Sequence, residues 1–240
     1  MLFVLGEFIN NIQKALTDLK KGKFILVFDS EKREGETDFI MASEFVNFES
    51  IKQMRKDGGG LIFLMISHEI GEKFQLPFLQ DLFKSIEKKY PVLKALTPND
   101  IPYDSKSSFS LYINHRETFT GITDHDRSLT MKRFSEMISC TKNMNITDSV
   151  QHLGNEFRSP GHVPICIASK NLLHERKGHT ELAIALLEMA ELIPAASGCE
   201  IMGDTGKALT KKDVISYAKK NDIVFLEGKE IIEAWKQWSK

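Results

Sequence analysis

Cysteine is scarce in this chain of 240 residues. Cys140, Cys166 and Cys199 are odd in number and scattered, with no Cys-x-x-Cys pair. That excludes a disulfide framework and a zinc ribbon, and it makes a reducing cytoplasm the expected setting. Long apolar runs are missing as well. None exceeds the six residues of Leu61 to Ile66, far short of the ~20 that a membrane-spanning helix needs. The opening Met1-Leu2-Phe3-Val4-Leu5 lacks a basic leader and soon meets Glu7, which argues against a signal peptide. Neither sign of charge is in excess: 32 Lys+Arg stand against 33 Asp+Glu, a net of -1. A general nucleic-acid binder carries a basic surplus, so no nucleic-acid partner and no membrane partner are expected. Internal repeats and low-complexity linkers are absent, and a single domain over residues 1–240 is the expectation. With 42% hydrophobic and 27% charged residues, the chain has an ordinary globular composition and can bury a core without staples.

What is present is an irregular alternation of helix and strand signals. Phe8, Ile9, Ile12, Ala15, Leu16 and Leu19 recur at helical spacing before Gly22,. Phe24 to Phe28 reads as a buried strand ending at Asp29, and a charged loop runs from Ser30 to Asp38. Asn47 is placed to cap a short helix that Gly58-Gly59-Gly60 breaks, and Leu61 to Ile66 is the next strand. Four prolines between Leu76 and Tyr103 suggest an irregular excursion. Phe109, Leu111 and Ile113 alternate with polar residues as in a half-buried strand. Helices are expected near 130–138, 147–157, 181–192, after Thr210 and over 231–238, and strands over 163–168 and 223–226. The irregular order favours an α+β fold, a mixed β-sheet core covered by helices, over a regular parallel winding.

Five segments carry chemistry. In Arg33-Glu34-Gly35-Glu36-Thr37-Asp38, three carboxylates alternate, and an extended backbone puts all three on one side. They form either a solvated charged turn or a site for a hard cation such as magnesium or manganese. Arg176-Lys177-Gly178-His179-Thr180 directly precedes the Glu181 helix. Free backbone N–H groups, an arginine fork and a Thr able to cap suit either a phosphate or an ordinary helix entry. His174-Glu175 with His179 has the wrong spacing for a zinc protease helix. His162 follows Pro160-Gly161 as it enters a strand, where it is rigidly placed for acid or base work or merely part of a turn. Glu200 lies between apolar neighbours in Cys199-Glu200-Ile201-Met202, where burial would raise its pKa. Thr120 to Arg127 is a polar turn that could bind an anion or cap a helix. No Walker loop, calcium loop or dinucleotide fingerprint occurs. As a set, these segments suit proton shuffling on a phosphorylated sugar.

In order along the chain, the acidic loop with Asp29, Gly60-Leu61-Ile62, Thr120-Gly121-Ile122-Thr123 with Asp126-Arg127, Pro160-Gly161-His162-Val163, Arg176-x-Gly178-His179-Thr180-Glu181 and Cys199-Glu200-Ile201-Met202 resemble the 3,4-dihydroxy-2-butanone 4-phosphate synthase family of riboflavin biosynthesis. The resemblance spans about Ala15 to Leu226, and Gly35-Glu36-Thr37-Asp38 looks like the archaeal branch. It leaves no room for a GTP cyclohydrolase II domain, so the stand-alone form is expected. It implies a homodimeric, magnesium- or manganese-dependent lyase with two metal ions per site near the subunit interface. That enzyme would convert D-ribulose 5-phosphate to L-3,4-dihydroxy-2-butanone 4-phosphate and formate. Carried over by motif, Glu34 and His179 would ligate metal. Arg33, Glu34, Asp38, Arg176, Lys177, Gly178, His179, Thr180 and Glu200 would hold substrate, and His162 and Glu200 would be the acid/base pair assisted by Asp29 and Glu36. One position departs from the family: Phe63 stands where the family usually has a cysteine facing the site. The rival readings are a metal-dependent aldolase or isomerase on another phosphosugar, and a non-catalytic phosphosugar-binding regulator.

Overall fold

The computed structural model describes the backbone of residues 2–239 and the side chains of residues 11–239. Helix α1 (Leu2–Lys20) ends before Gly22, whose φ of 69° is a left-handed stop,. Strand β1 (Ile25–Phe28) is buried along its whole length. Strand β2 (Thr37–Ala42) is also buried throughout. The charged loop expected from Ser30 to Asp38 therefore gives way to strand at Thr37, where none is expected. Thr37 and Asp38 are polar, yet both are buried, because β2 lies inside the sheet rather than at its edge.

Helix α2 (Phe48–Gln53) has the expected Asn47 cap, closed by the Ser50 side chain into a capping box,. It leads through a single wide turn into β3 (Gly59–Ile66). Three short helices follow that were not expected: α3 (His68–Lys73), α4 (Leu79–Ile86) and α5 (Pro91–Ala95). Pro91 sits in the first turn of α5, where its missing N–H costs nothing,, so proline there starts a helix rather than preventing one. Strand β4 (Phe109–His115), helices α6 (Asp124–Thr141) and α7 (Ile146–Glu156) and strand β5 (Phe157–Ile167) come next. Helix α8 (His179–Met189), strand β6 (Ala195–Ile201), helix α9 (Lys211–Lys220), strand β7 (Val224–Glu227) and helix α10 (Gly228–Trp238) complete the order.

The seven strands form one mixed sheet in the order β4-β5-β3-β6-β2-β1-β7. β3 runs parallel to β5 and β1 parallel to β7; the other neighbours are antiparallel. Alternate residues of each strand feed two separate cores, as the pleat requires. Val27, Ile40, Phe63 and Met65 pack with α1, α8 and α10, while Leu26, Phe39, Ile62 and Leu64 pack with α2, α6 and α9. Helix α8 lies against the sheet beneath α1 and α10, and every residue of it except Glu188 is buried. That explains its all-round apolar sequence. Its N-terminus points to the sheet region where β2 and β6 carry acidic residues.

Candidate active site

The loop joining β1 to β2 is organised by Asp29. Its buried carboxylate accepts from the backbone N–H groups of Glu34 at 3.0 Å, Gly35 at 3.0 Å and Glu36 at 3.3 Å. Gly35, at a φ of 67°, lets the chain turn there,. The loop thereby aims Arg33, Glu34 and Glu36 at one cavity of about 550 Å³, and β2 adds Asp38. Asp38 lies opposite Glu200 of β6 in the antiparallel register, so the pleat sends both carboxyl groups to the same face,. Glu200 Oε2 accepts from the Leu61 N–H at 2.7 Å. It crosses directly over Gly60, where any Cβ would overlap it.

Helix α8 supplies the opposite wall. Gly178 is its N-cap, and the buried Glu181 reaches back to the Gly178 N–H at 3.2 Å. Thr180 therefore lines the cavity instead of capping the helix. Glu181 also accepts from Ser169 N–H at 2.9 Å and from Arg176 at 2.6 Å. A Cβ on Gly178 would meet the guanidinium groups of both Arg176 and Arg33, which shows how closely the two cations pass. Asp104 holds them together, accepting from Arg33 at 2.8 Å and from Arg176 Nε at 2.6 Å. The Arg33 guanidinium also lies 5.6 Å from the centre of the Tyr103 ring.

His179 stands at the centre of the charge pattern. Its Nδ1 is 3.4 Å from Glu34 and 3.7 Å from Asp38. Burial opposes its protonation, but the charges of Asp38 and Glu34 outweigh that and push its pKa up to about 10,. Burial works against Glu34 too, yet the hydrogen bond and charge of His179, with Arg33, hold it below the usual carboxylate value. Asp38 goes the other way: burial lifts it well above the usual range despite His179, and Glu200, Glu34 and Glu36 add to the rise. Burial also raises Glu36 and Glu200. Carboxyl groups with such separated proton affinities, side by side, can divide the roles of proton donor and proton acceptor.

One ligand atom each from Asp29, Glu34 and His179 lies within 4.8 Å of the others. Asp29 accepts from three backbone N–H groups and Glu34 faces His179 Nδ1 at 3.4 Å, which leaves the Nε2 side of the His179 ring and the second Glu34 oxygen for a cation. Among the described residues His179 Nε2 and Asp38 Oδ1 are buried without hydrogen-bond partners, and a hard cation that keeps several waters fits such a sparse oxygen-and-imidazole set.

The structure gathers Arg33, Glu34, Glu36, Asp38, Arg176, His179, Thr180 and Glu200 around this cavity, with Phe63 in its wall. Asp29 lies behind the loop as its organiser. Lys177 is exposed, Gly178 is buried at the helix cap, and His162 is exposed on β5 and does not line the cavity. The Thr120–Arg127 turn is a helix entry: Thr123 caps α6 and Asp126 accepts from the Gly121 N–H. Sequence reasoning missed Tyr103, Asp104, Phe109 and Cys166, which also line the cavity. Only their place beside prolines or in a half-buried strand could have marked them. Burial raises the Cys166 thiol, so this cysteine is wall rather than nucleophile.

Residues 13–234 match the family model for 3,4-dihydroxy-2-butanone 4-phosphate synthase. A protein of that name from Methanothermobacter thermautotrophicus is 44% identical over 233 residues, covering 97% of this chain and 99% of the relative. The solved structure of the Candida albicans protein of that name superposes with a TM-score of 0.69 at 29% identity, covering 93% of this chain and 96% of that one. Another, described as in complex with two magnesium ions, gives a TM-score of 0.73 at 23% identity over 94% of this chain and 96% of its own.

Proposed function

This chain belongs to the 3,4-dihydroxy-2-butanone 4-phosphate synthase family of riboflavin biosynthesis, and on that premise we propose that it is a lyase splitting D-ribulose 5-phosphate into L-3,4-dihydroxy-2-butanone 4-phosphate and formate. One observation carries the reading: a single cavity joins an arginine pair to a cluster of acids whose proton affinities are spread apart. Arg33 and Arg176 recognise the phosphate, and Thr180 in the first turn of α8 adds a hydroxyl beside the positive end of the helix. Anchoring the phosphate there fixes the reacting carbons over Asp38 and Glu200 and supplies binding energy remote from the bonds that change.

Glu34 and His179 would hold magnesium, or manganese in its place, as two ions per site. Bound there, the metal supplies Lewis-acid polarisation of adjacent sugar oxygens. The protein groups do the rest. Glu200, raised by burial, exchanges a proton with the sugar skeleton, and Glu36 and Asp38 carry the further proton transfers that loss of a hydroxyl, a carbon shift and rehydration demand. The five-carbon substrate divides into a four-carbon phosphate and a one-carbon acid with no external oxidant. Phe63 and Phe109 exclude water from the wall.

His162 enters this scheme from a second copy of the chain. It is exposed outside the cavity of its own chain, and the neighbouring turn exposes Phe119 at 94% and Ile122 at 49%. Apolar exposure of that order beside a reactive side chain suits a subunit contact. A cytoplasmic setting fits the three unpaired cysteines,.

The test is formate release from D-ribulose 5-phosphate by the purified protein, with magnesium and with EDTA. One formate per sugar phosphate, lost with EDTA and restored by magnesium, is the expected result. Binding of the sugar phosphate with no formate in the presence of magnesium would overturn the reading.

A further inference from the structure

Strand β5 breaks its pairing with β4 where His162 lies. Ile113 pairs with Val163, yet the next β4 residue, Asn114, pairs with Arg158. Residues 159–162 therefore stand out of the ladder as a bulge, a device that re-aims a side chain. Asn114 is 3% exposed and holds the end of that bulge. Two motif glycines exist to make room for it. A Cβ on Gly121, whose φ is 93°, would overlap the Asn114 carboxamide, and a Cβ on Gly161 would collide with the backbone of Ile113 and Asn114.

The hydrogen bonds at Asn114 leave no freedom in the carboxamide or in the ring it touches. The His162 backbone N–H can only donate, and it donates to Asn114 Oδ1 at 2.8 Å. The other end of the amide is then Nδ2, consistent with its donation to the Thr120 carbonyl at 3.4 Å. That same Nδ2 lies 3.1 Å from His162 Nδ1. An NH₂ group has no lone pair to offer in return, so Nδ1 accepts and the single proton of the neutral ring resides on Nε2.

We propose that Asn114 is a positioning residue that fixes His162 as the Nε2–H tautomer, so that the exposed ring edge offers a hydrogen to a substrate oxygen and acts as a donor rather than a base. This rests on the reading above that His162 reaches the site from a second copy of the chain. A neutral ring held this way cannot take a proton at Nε2, while a leaving or carbonyl oxygen meets a donor already in place. The sequence signal was a polar residue directly after the alternating Phe109-Leu111-Ile113 set.

The test uses the intact enzyme labelled with ¹⁵N-histidine. Two-bond ¹H–¹⁵N correlation spectra distinguish the ring tautomers, and the spectrum of His162→Gln identifies the His162 signals among seven histidines. Wild type is expected to show the Nε2–H form. Asn114→Asp keeps an oxygen for the His162 N–H but replaces the donor facing Nδ1 with an acceptor. It is expected to move the proton to Nδ1 and to lower kcat by roughly tenfold or more with little change in KM, up to the ~10²–10³ that loss of one preorganised hydrogen-bond donor costs. Asn114→Ser, a smaller donor, should regain part of the Nε2–H signal. An Nδ1–H ring in wild type, or an Asn114→Asp enzyme with an unchanged tautomer and kcat, overturns the proposal. The tautomer is read without turnover, so failure of the lyase reading would show separately as absent formate from wild type.

Discussion

Glu181 ties three things together: the cap of α8, the Ser169 backbone and the Arg176 guanidinium. Its side chain is fully buried, whereas Arg176 keeps 19% of its side-chain surface and a second partner in Asp104. Glu181→Ala therefore strands two backbone N–H groups and one cation. Breaking a buried ion pair by removing one partner costs ~3–5 kcal/mol, and the retained Asp104 contact places this case near the lower end, about 3 kcal/mol. For a chain of this size each kcal/mol lowers Tm by roughly 2–4 °C, so a fall of about 6–12 °C is expected. Urea unfolding followed by both fluorescence and circular dichroism gives the free energy and checks that the transition is two-state. The KM for D-ribulose 5-phosphate should rise in the same variant, because Arg176 loses its fixed orientation. Glu181→Gln, which keeps the shape and one acceptor, should fall between. A loss under about 1 kcal/mol with KM unchanged would refute the view that Glu181 holds the phosphate arginine in place.

Other expectations follow from the same geometry. Gly60→Ala displaces the Glu200 carboxylate and should cut kcat by about 10²-fold while leaving the far-ultraviolet spectrum intact; near-normal turnover would remove Glu200 from the reaction. Glu200 is raised by burial, so the folded state prefers its protonated form, and stability is lost as pH rises from the ordinary carboxylate value through the raised one. Glu200→Gln should then be more stable than wild type at neutral pH. The gap should close as pH falls below the ordinary carboxylate value of about 4.3, measured as Tm across the pH range. Asp104→Asn frees Arg33 and Arg176 from a competing carboxylate, so inorganic phosphate should inhibit more tightly, read as a lower inhibition constant. A weaker inhibition would show that bridging the two arginines outweighs competition for them.

Much of the site was legible because its chemistry is carried by short contiguous motifs. Glu34, Glu36 and Asp38 alternate in sequence and do face one cavity; the Asn47 and Thr210 caps are local signals and both form. The misses share one cause, which is tertiary burial overriding local character. Strand β2 was hidden because Thr37 and Asp38 look like loop residues and become strand only by pairing with distant β6. Asp104 lies in a proline-rich stretch with no period, and its meaning comes from two arginines remote in sequence. Thr180 carried a capping signal that Gly178 and Glu181 satisfied instead,.

The pairing of β2 with β6 also governs how the chain is made. On the ribosome, Ala42 emerges long before its partner Ala196. At a synthesis rate of ~5–20 residues per second, the free edge of β2 waits on the order of ten to thirty seconds for a neighbour. Throughout that interval the backbone N–H and C=O groups on the β6 side of β2 lack their partners, and an unpaired strand edge of this kind is a template for pairing with another chain,. The catalytic face cannot exist before that strand arrives, so a chain interrupted ahead of β6 yields an aggregation-prone fragment rather than a weakened enzyme.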